Sequence, residues 1–98
     1  MNIQAMMKQA QKLQKEMLQT KSEIDNKTFE ITKSFMSLKM KGNKTVEEVK
    51  INLEQCEKED IEMLEDLILV SVNELIKQID KETEEKMGKY TKGMPGLF

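Results

Sequence analysis

Residues 59–93, EDIEMLEDLILVSVNELIKQIDKETEEKMGKYTKG, decide the fold. Ile61, Leu64, Ile68, Val72, Leu75 and Ile79 recur at helical spacing and form one continuous stripe. At Leu67-Ile68-Leu69-Val70-Ser71-Val72 the stripe swells to cover every side. A helix that is hydrophobic all round has to be buried all round, and a chain of 98 residues has little with which to surround it. The pattern points to a second copy of the chain, packed through Leu64, Leu67, Ile68, Val70, Val72 and Leu75. Asp60 suits the N-cap of this helix. From Asp80 to Gly93 only Met87 and Tyr90 are apolar, so this last part of the helix is expected to extend into solvent as an arm. Gly88 weakens that arm, and Gly93, Pro95 and Gly96 end it.

Working outward, residues 1–25 read as another helix. Ile3, Met6, Ala10, Leu13, Met17, Thr20 and Ile24 alternate spacings of three and four, a coiled-coil-like seam with Thr20 as its polar break. At about 1.5 Å per residue, a helix of about 23 residues reaches about 35 Å, too long for a small domain to cover, so part of it projects. Between the helices lies a period-two region over 28–54. Phe29 and Ile31, then Met36, Leu38 and Met40, then Val49, Ile51 and Leu53, alternate with polar residues. Gly42-Asn43 marks a hairpin turn between the second and third runs; the first turn, near Lys33-Ser34-Phe35, has neither Gly nor Pro. The fold class is α+β: a helical arm, a three-stranded antiparallel meander, then a long helix over 60–92 that covers the sheet. Chain length allows one domain over 1–98.

Composition narrows the functions. The chain is 38% hydrophobic and 35% charged, too polar for a membrane span and too apolar for a disordered tail. MNIQAMMKQAQK lacks a basic segment followed by an apolar run, so no signal peptide is indicated, and a lone Cys56 forms no internal disulfide. Both favour a cytoplasmic protein without a membrane partner. Histidine, arginine and tryptophan are absent. Without His, and with one Cys, common zinc and iron sites and His-activated nucleophiles have no parts. No enzyme activity, metal, cofactor or small-molecule substrate is expected. All 16 basic residues are lysine. Arginine is the usual bidentate reader of guanine, so strong base-specific recognition is not expected. An A+T-rich genome would produce the same lysine bias.

Net charge is −2, but it is unevenly placed. Residues 1–22 hold four lysines against one acid, whereas residues 47–66 hold nine acids against two lysines. Residues 86–98 hold three lysines and no acid. Basic ends flank an acidic middle. Lys8, Lys12 and Lys15 fall on one helical face opposite the seam. An exposed face carries charge for solubility alone, but Lys8 and Lys12 repel at i, i+4, which a face chosen for helix stability would avoid. They are candidate phosphate contacts, with Lys81, Lys86, Lys89 and Lys92 as further candidates. Glu82 and Glu85 stand four residues before Lys86 and Lys89, a spacing equally suited to local pairing. Glu47-Glu48 and Glu57, Glu59 and Asp60 read as solvated surface and helix capping rather than a catalytic pair. Met6, Met17, Met36 and Met40 read as adaptable core residues. Tyr90 could stack on a base, though one aromatic is no stacking platform.

The block Met7-Lys8-Gln9-Ala10-Gln11-Lys12-Leu13-Gln14-Lys15-Glu16-Met17 resembles the N-terminal helix of the YbaB/EbfC nucleoid-associated proteins. Met63-Leu64-Glu65-Asp66-Leu67-Ile68 with Val72-Asn73, Lys86-Met87-Gly88-Lys89 and Gly93-Met94-Pro95-Gly96 are similar to later segments of that family. The resemblance implies a helix–three strands–helix protomer, a tight homodimer with two projecting helical arms, binding of double-stranded DNA with little sequence preference, a nucleoid location, and no catalysis. One departure is clear: family members usually carry a glycine-rich first turn, and here it reads Lys33-Ser34-Phe35-Met36-Ser37. The competing reading is a dimeric protein-interaction adaptor that uses its arms without nucleic acid.

Overall fold

The computed structural model describes residues 2–91. Asn2 starts the first helix: its Oδ1 accepts the N–H groups of Gln4 at 3.0 Å and Ala5 at 3.4 Å, satisfying amides with no intrahelical partner. Helix α1 runs Ile3–Asn26, strands β1, β2 and β3 run Thr28–Lys33, Met36–Lys41 and Val46–Ile51, and helix α2 runs Lys58–Thr91. The strands form an antiparallel meander in the order β1-β2-β3. The α+β class and its element order are as the sequence predicts.

The first hairpin turns on two residues, Ser34 and Phe35, between the paired Lys33 and Met36. Ser34 takes φ 52°, the left-handed region that glycine would occupy without steric cost. The turn thus forms in its expected place without the family's glycine. The third strand begins three residues before the predicted Val49 and stops short of Leu53. Its register slips at Lys39/Met40, where Met40 faces Val46 while Lys39 faces Glu48. That bulge puts Val46 on the same face as Val49 despite their odd separation. Simple alternation misses it.

Helix α2 begins at Lys58, not at Asp60. Asp60 lies one turn inside, and its Oδ2 accepts the N–H of Glu57 at 2.9 Å. It therefore acts as the reciprocal partner in a capping arrangement rather than as the cap itself. The helix lies across β1 and β2. Phe29, Met36, Leu38 and Met40 from the sheet meet Leu75 and Ile79 from α2 in one core, with Leu64, Leu67 and Val72 half-buried at its margin. These form the head of the molecule.

The second core is the main departure from expectation. Met87 and Tyr90 do not run out into water; they are buried against Met17 and Ile24. The two helices lie antiparallel there, since Lys27 at the end of α1 meets Glu82 upstream of Met87. The arm is a helix pair, and the polar run after Ile79 coats its outside. The N-terminal half of α1 goes on beyond the described end of α2, with Ile3, Met6 and Leu13 exposed. Met6 is consequently not a core residue here. The resulting shape is 71 × 19 × 14 Å. Its Cα radius of gyration is 19.5 Å, against about 13 Å for a compact domain of this length.

The β2–β3 turn fixes where the arm leaves the head. Gly42 N–H donates to the Lys27 carbonyl at 2.9 Å and Asn43 N–H to the Asp25 carbonyl at 3.3 Å. A Cβ on Gly42 would stand 1.7 Å from the Ile24 carbonyl oxygen. Only glycine allows this turn to cap the C-terminal end of α1.

Candidate nucleic-acid interface

Lys8, Lys12 and Lys15 lie on the part of α1 that projects from the molecule, and all three are exposed. Successive positions four and three apart stack along one face, so the ammonium groups form a row. Among the described residues none of the three makes an ion pair. The head differs. Lys33 Nζ meets Glu74 at 2.8 Å, Lys39 meets Glu48 at 3.3 Å and Lys44 meets Asp80 at 3.0 Å. The Glu48 carboxylate, hydrogen-bonded to Lys39, holds that ammonium above the usual lysine pKa. Lys27 anchors the junction: it reaches Glu82 at 2.6 Å and lies 5.0 Å from the centre of the Phe29 ring.

The later candidates are less uniform. Lys81 is exposed and borders a shallow groove with Phe29, Gln78 and Glu85. Lys86 is 3.5 Å from Glu82, as the i, i+4 spacing predicts, but Glu82 is shared with Lys27. The hydrogen bond from Lys27 keeps the Glu82 carboxyl below the usual glutamate pKa, against the opposing effect of burial. Glu85 makes no ion pair with Lys89 among the described residues; the Lys89 ammonium instead sits 5.0 Å from the Tyr90 ring centre. Tyr90 is buried and offers no face to a base. Lys92 lies outside the described residues. Because α1 and α2 are antiparallel, the Lys86 and Lys89 end of α2 shares the arm with Lys8, Lys12 and Lys15, while Lys81 stays near the head.

The predicted contact residues between copies divide in the same way. Leu75 is fully buried in the chain's own core, and Leu64, Leu67 and Val72 are half-covered by it. Ile68 and Val70 are exposed, and so are their neighbours Ile61, Met63 and Leu69. Sequence reasoning missed the second part of this surface. Helix α2 lies over β1 and β2, so Val46, Val49 and Ile51 of β3 are 45–47% exposed on the face the helix should cover. The signal was there in the alternation of β3, but it shows only that a face is apolar, not whether anything reaches it.

Among the described residues no three His, Cys, Asp or Glu side chains gather to hold a metal ion. None of their helices is long and apolar enough to cross a membrane. Residues 1–94 match the model of the YbaB/EbfC DNA-binding family. The chain belongs to the YbaB/EbfC DNA-binding family. It is 42% identical to a nucleoid-associated protein of Enterococcus faecalis, over 98% of this chain and 94% of that one. It is 43% identical to a nucleoid-associated protein of Lactococcus lactis subsp. cremoris, over 97% of this chain and 98% of that one. A nucleoid-associated protein of Oceanobacillus iheyensis is 44% identical, over 99% of this chain and 97% of its own length. Family members are matched along both helices and the sheet, so the likeness spans head and arm alike.

Proposed function

We propose that this YbaB/EbfC-family chain acts as a homodimeric nucleoid-associated protein that grips double-stranded DNA by its phosphates, with little sequence preference. The observation that carries this reading is the row of Lys8, Lys12 and Lys15 on the arm, exposed and without an ion pair among the described residues. A lysine already held by a carboxylate gains little from a phosphate; an unpaired one releases counterions when DNA arrives. Lys86 and Lys89 on the same arm add charge, and Lys81 and Lys92 are further contacts. Lysine presents a point charge rather than a planar fork, which suits backbone contact over base reading. The acidic head keeps the polyanion at the arms. No catalytic step or cofactor enters this role, and its place is the cytoplasmic nucleoid.

Dimerisation supplies the second arm. Ile68, Leu69 and Val70 of α2, with Val46, Val49 and Ile51 of β3, form the apolar surface that a second copy would cover. Leu64, Leu67 and Val72 complete it, whereas Leu75 stays within its own protomer. Two copies turn a modest row of lysines into a clamp.

The test is charge reversal of the arm, Lys8→Glu with Lys12→Glu and Lys15→Glu, in mobility-shift titrations against unrelated duplexes at several salt concentrations, with oligomeric state measured by sedimentation. A dimer that contacts phosphate through all three should lose a salt dependence of up to about 5 in the log–log slope. Unchanged affinity and slope in a variant that is still dimeric would overturn the proposal. The adaptor reading keeps one observation in its favour, the exposed apolar seam of Ile3, Met6 and Leu13. It predicts that binding partners survive nuclease treatment and are proteins.

A further inference from the structure

Glu82 holds two lysines unequally. Its Oε1 accepts a hydrogen bond from the Lys27 ammonium at 2.6 Å, and Lys27 is further fixed over the ring of Phe29. The other oxygen, Oε2, is buried and accepts no hydrogen bond among the described residues. The Lys86 ammonium stands 3.5 Å from it. The Glu82 side chain is 20% exposed and that of Lys86 is 52% exposed. The carboxylate is therefore set into the joint between arm and head, and Lys86 reaches it from solvent. Of the two cations, Lys86 is the one that can leave.

We propose that Glu82 restrains Lys86 and so limits the grip on DNA: a phosphate that recruits Lys86 has to compete with a carboxylate, as one that meets Lys8, Lys12 or Lys15 does not. The inference rests on the DNA-binding reading and adds to it a residue that sets affinity. Two physical effects carry it. An ammonium already beside a carboxylate gains less from a phosphate than one surrounded only by salt and water. Its departure also leaves the buried Oε2 without a positive neighbour, and a charge taken out of water without a partner is costly. The competitor stays ionised at neutral pH, because the hydrogen bond from Lys27 keeps the Glu82 carboxyl below the usual glutamate range. Lys89 provides the contrast on the same helix: its ammonium lies over the Tyr90 ring and makes no ion pair among the described residues. Glu82 thus has two effects of opposite sign. Through Lys27 it ties arm to head, and through Lys86 it weakens the grip.

Mobility-shift titrations of the full chain at several salt concentrations test the restraint, with Glu82→Gln, Lys86→Gln, the two combined, and Glu85→Gln as the control. Glu85 is exposed, lines the same shallow groove and makes no ion pair among the described residues. Glu82→Gln should bind about three- to tenfold tighter, with a log–log salt slope steeper by about 0.9 per arm. Glu85→Gln makes the same change in net charge and should gain about twofold or less, as a screened charge does. Adding Lys86→Gln to Glu82→Gln should abolish the gain. A Glu82 that only braced the joint would act in the other direction, since its loss would loosen the arm and weaken binding. Weaker or equal binding by Glu82→Gln, a gain matched by Glu85→Gln, or a gain that survives Lys86→Gln each overturns the proposal and leaves the parent's DNA binding intact. A parent that binds no duplex at low salt defeats the DNA-binding reading itself, and the restraint falls with it. One measurement needs no DNA: Lys86→Gln should raise the acid midpoint of the Glu82 carboxyl, followed by its side-chain carbonyl resonance, and an unmoved midpoint overturns the restraint.

Discussion

Head and arm are built from similar residues and differ in what surrounds them. In the head, Lys33, Lys39 and Lys44 face carboxylates, and apolar side chains reach essentially zero exposure, as with Met36, Leu38 and Leu75. On the projecting part of the arm, Lys8, Lys12 and Lys15 make no ion pair among the described residues, and a stripe of similar periodicity is buried at one end and open at the other. Long-range contacts make the difference. The sheet brings together residues distant in sequence, so it neutralises charge and excludes water. A helix pair has neighbours on one side only, and the other side remains for a ligand.

The largest effect that separates the two regions should come from one substitution made twice. Leu38→Ala empties a fully buried site and should cost about 2–5 kcal/mol, whereas Leu18→Ala, on the exposed face of the arm, should stay within about 0.5 kcal/mol. Denaturant melts of the two variants measure the contrast, and similar losses would mean the arm is as enclosed as the head. Next comes the joint between them. Gly42→Ala drives a methyl into the Ile24 carbonyl and should cost about 1–3 kcal/mol or more. The loss should appear with faster hydrogen exchange at residues 22–27, where the arm joins the head.

The smallest effect belongs to the ion pair that ties arm to head. Glu82 has a lowered carboxyl pKa in the folded chain because Lys27 hydrogen-bonds it. Its contribution is therefore present above the unfolded glutamate value of about 4.3 and is lost as pH falls through the folded value. Glu82→Gln should lower stability near neutral pH by less than about 1 kcal/mol, given the exposure of Lys27. The gap between parent and variant should close below about pH 4. Melting temperatures across pH 3–7 check the sign, and a gap that widens in acid would contradict it.

Much of this was legible along the chain. The helical seam, the meander, the Gly42-Asn43 turn and the lysine row all follow from periods of two and of about 3.6, which are local properties of the backbone. The burial of Met87 and Tyr90 was not, because two apolar residues in a polar run look the same whether they meet water or Met17. The β3 bulge was hidden for a similar reason: Glu47 becomes the extra residue only once Met40 has a partner.

The order of residues by itself determined which faces are apolar and which ends are basic, since side-chain chemistry and helical or pleated geometry are set within a few neighbours. Only the tertiary structure decided which of those faces are covered. Coverage depends on elements far apart in the chain meeting at short range, as Gly42 meets Ile24 and Lys27 meets Glu82. From that meeting come both the enclosed head and the arm that is left open.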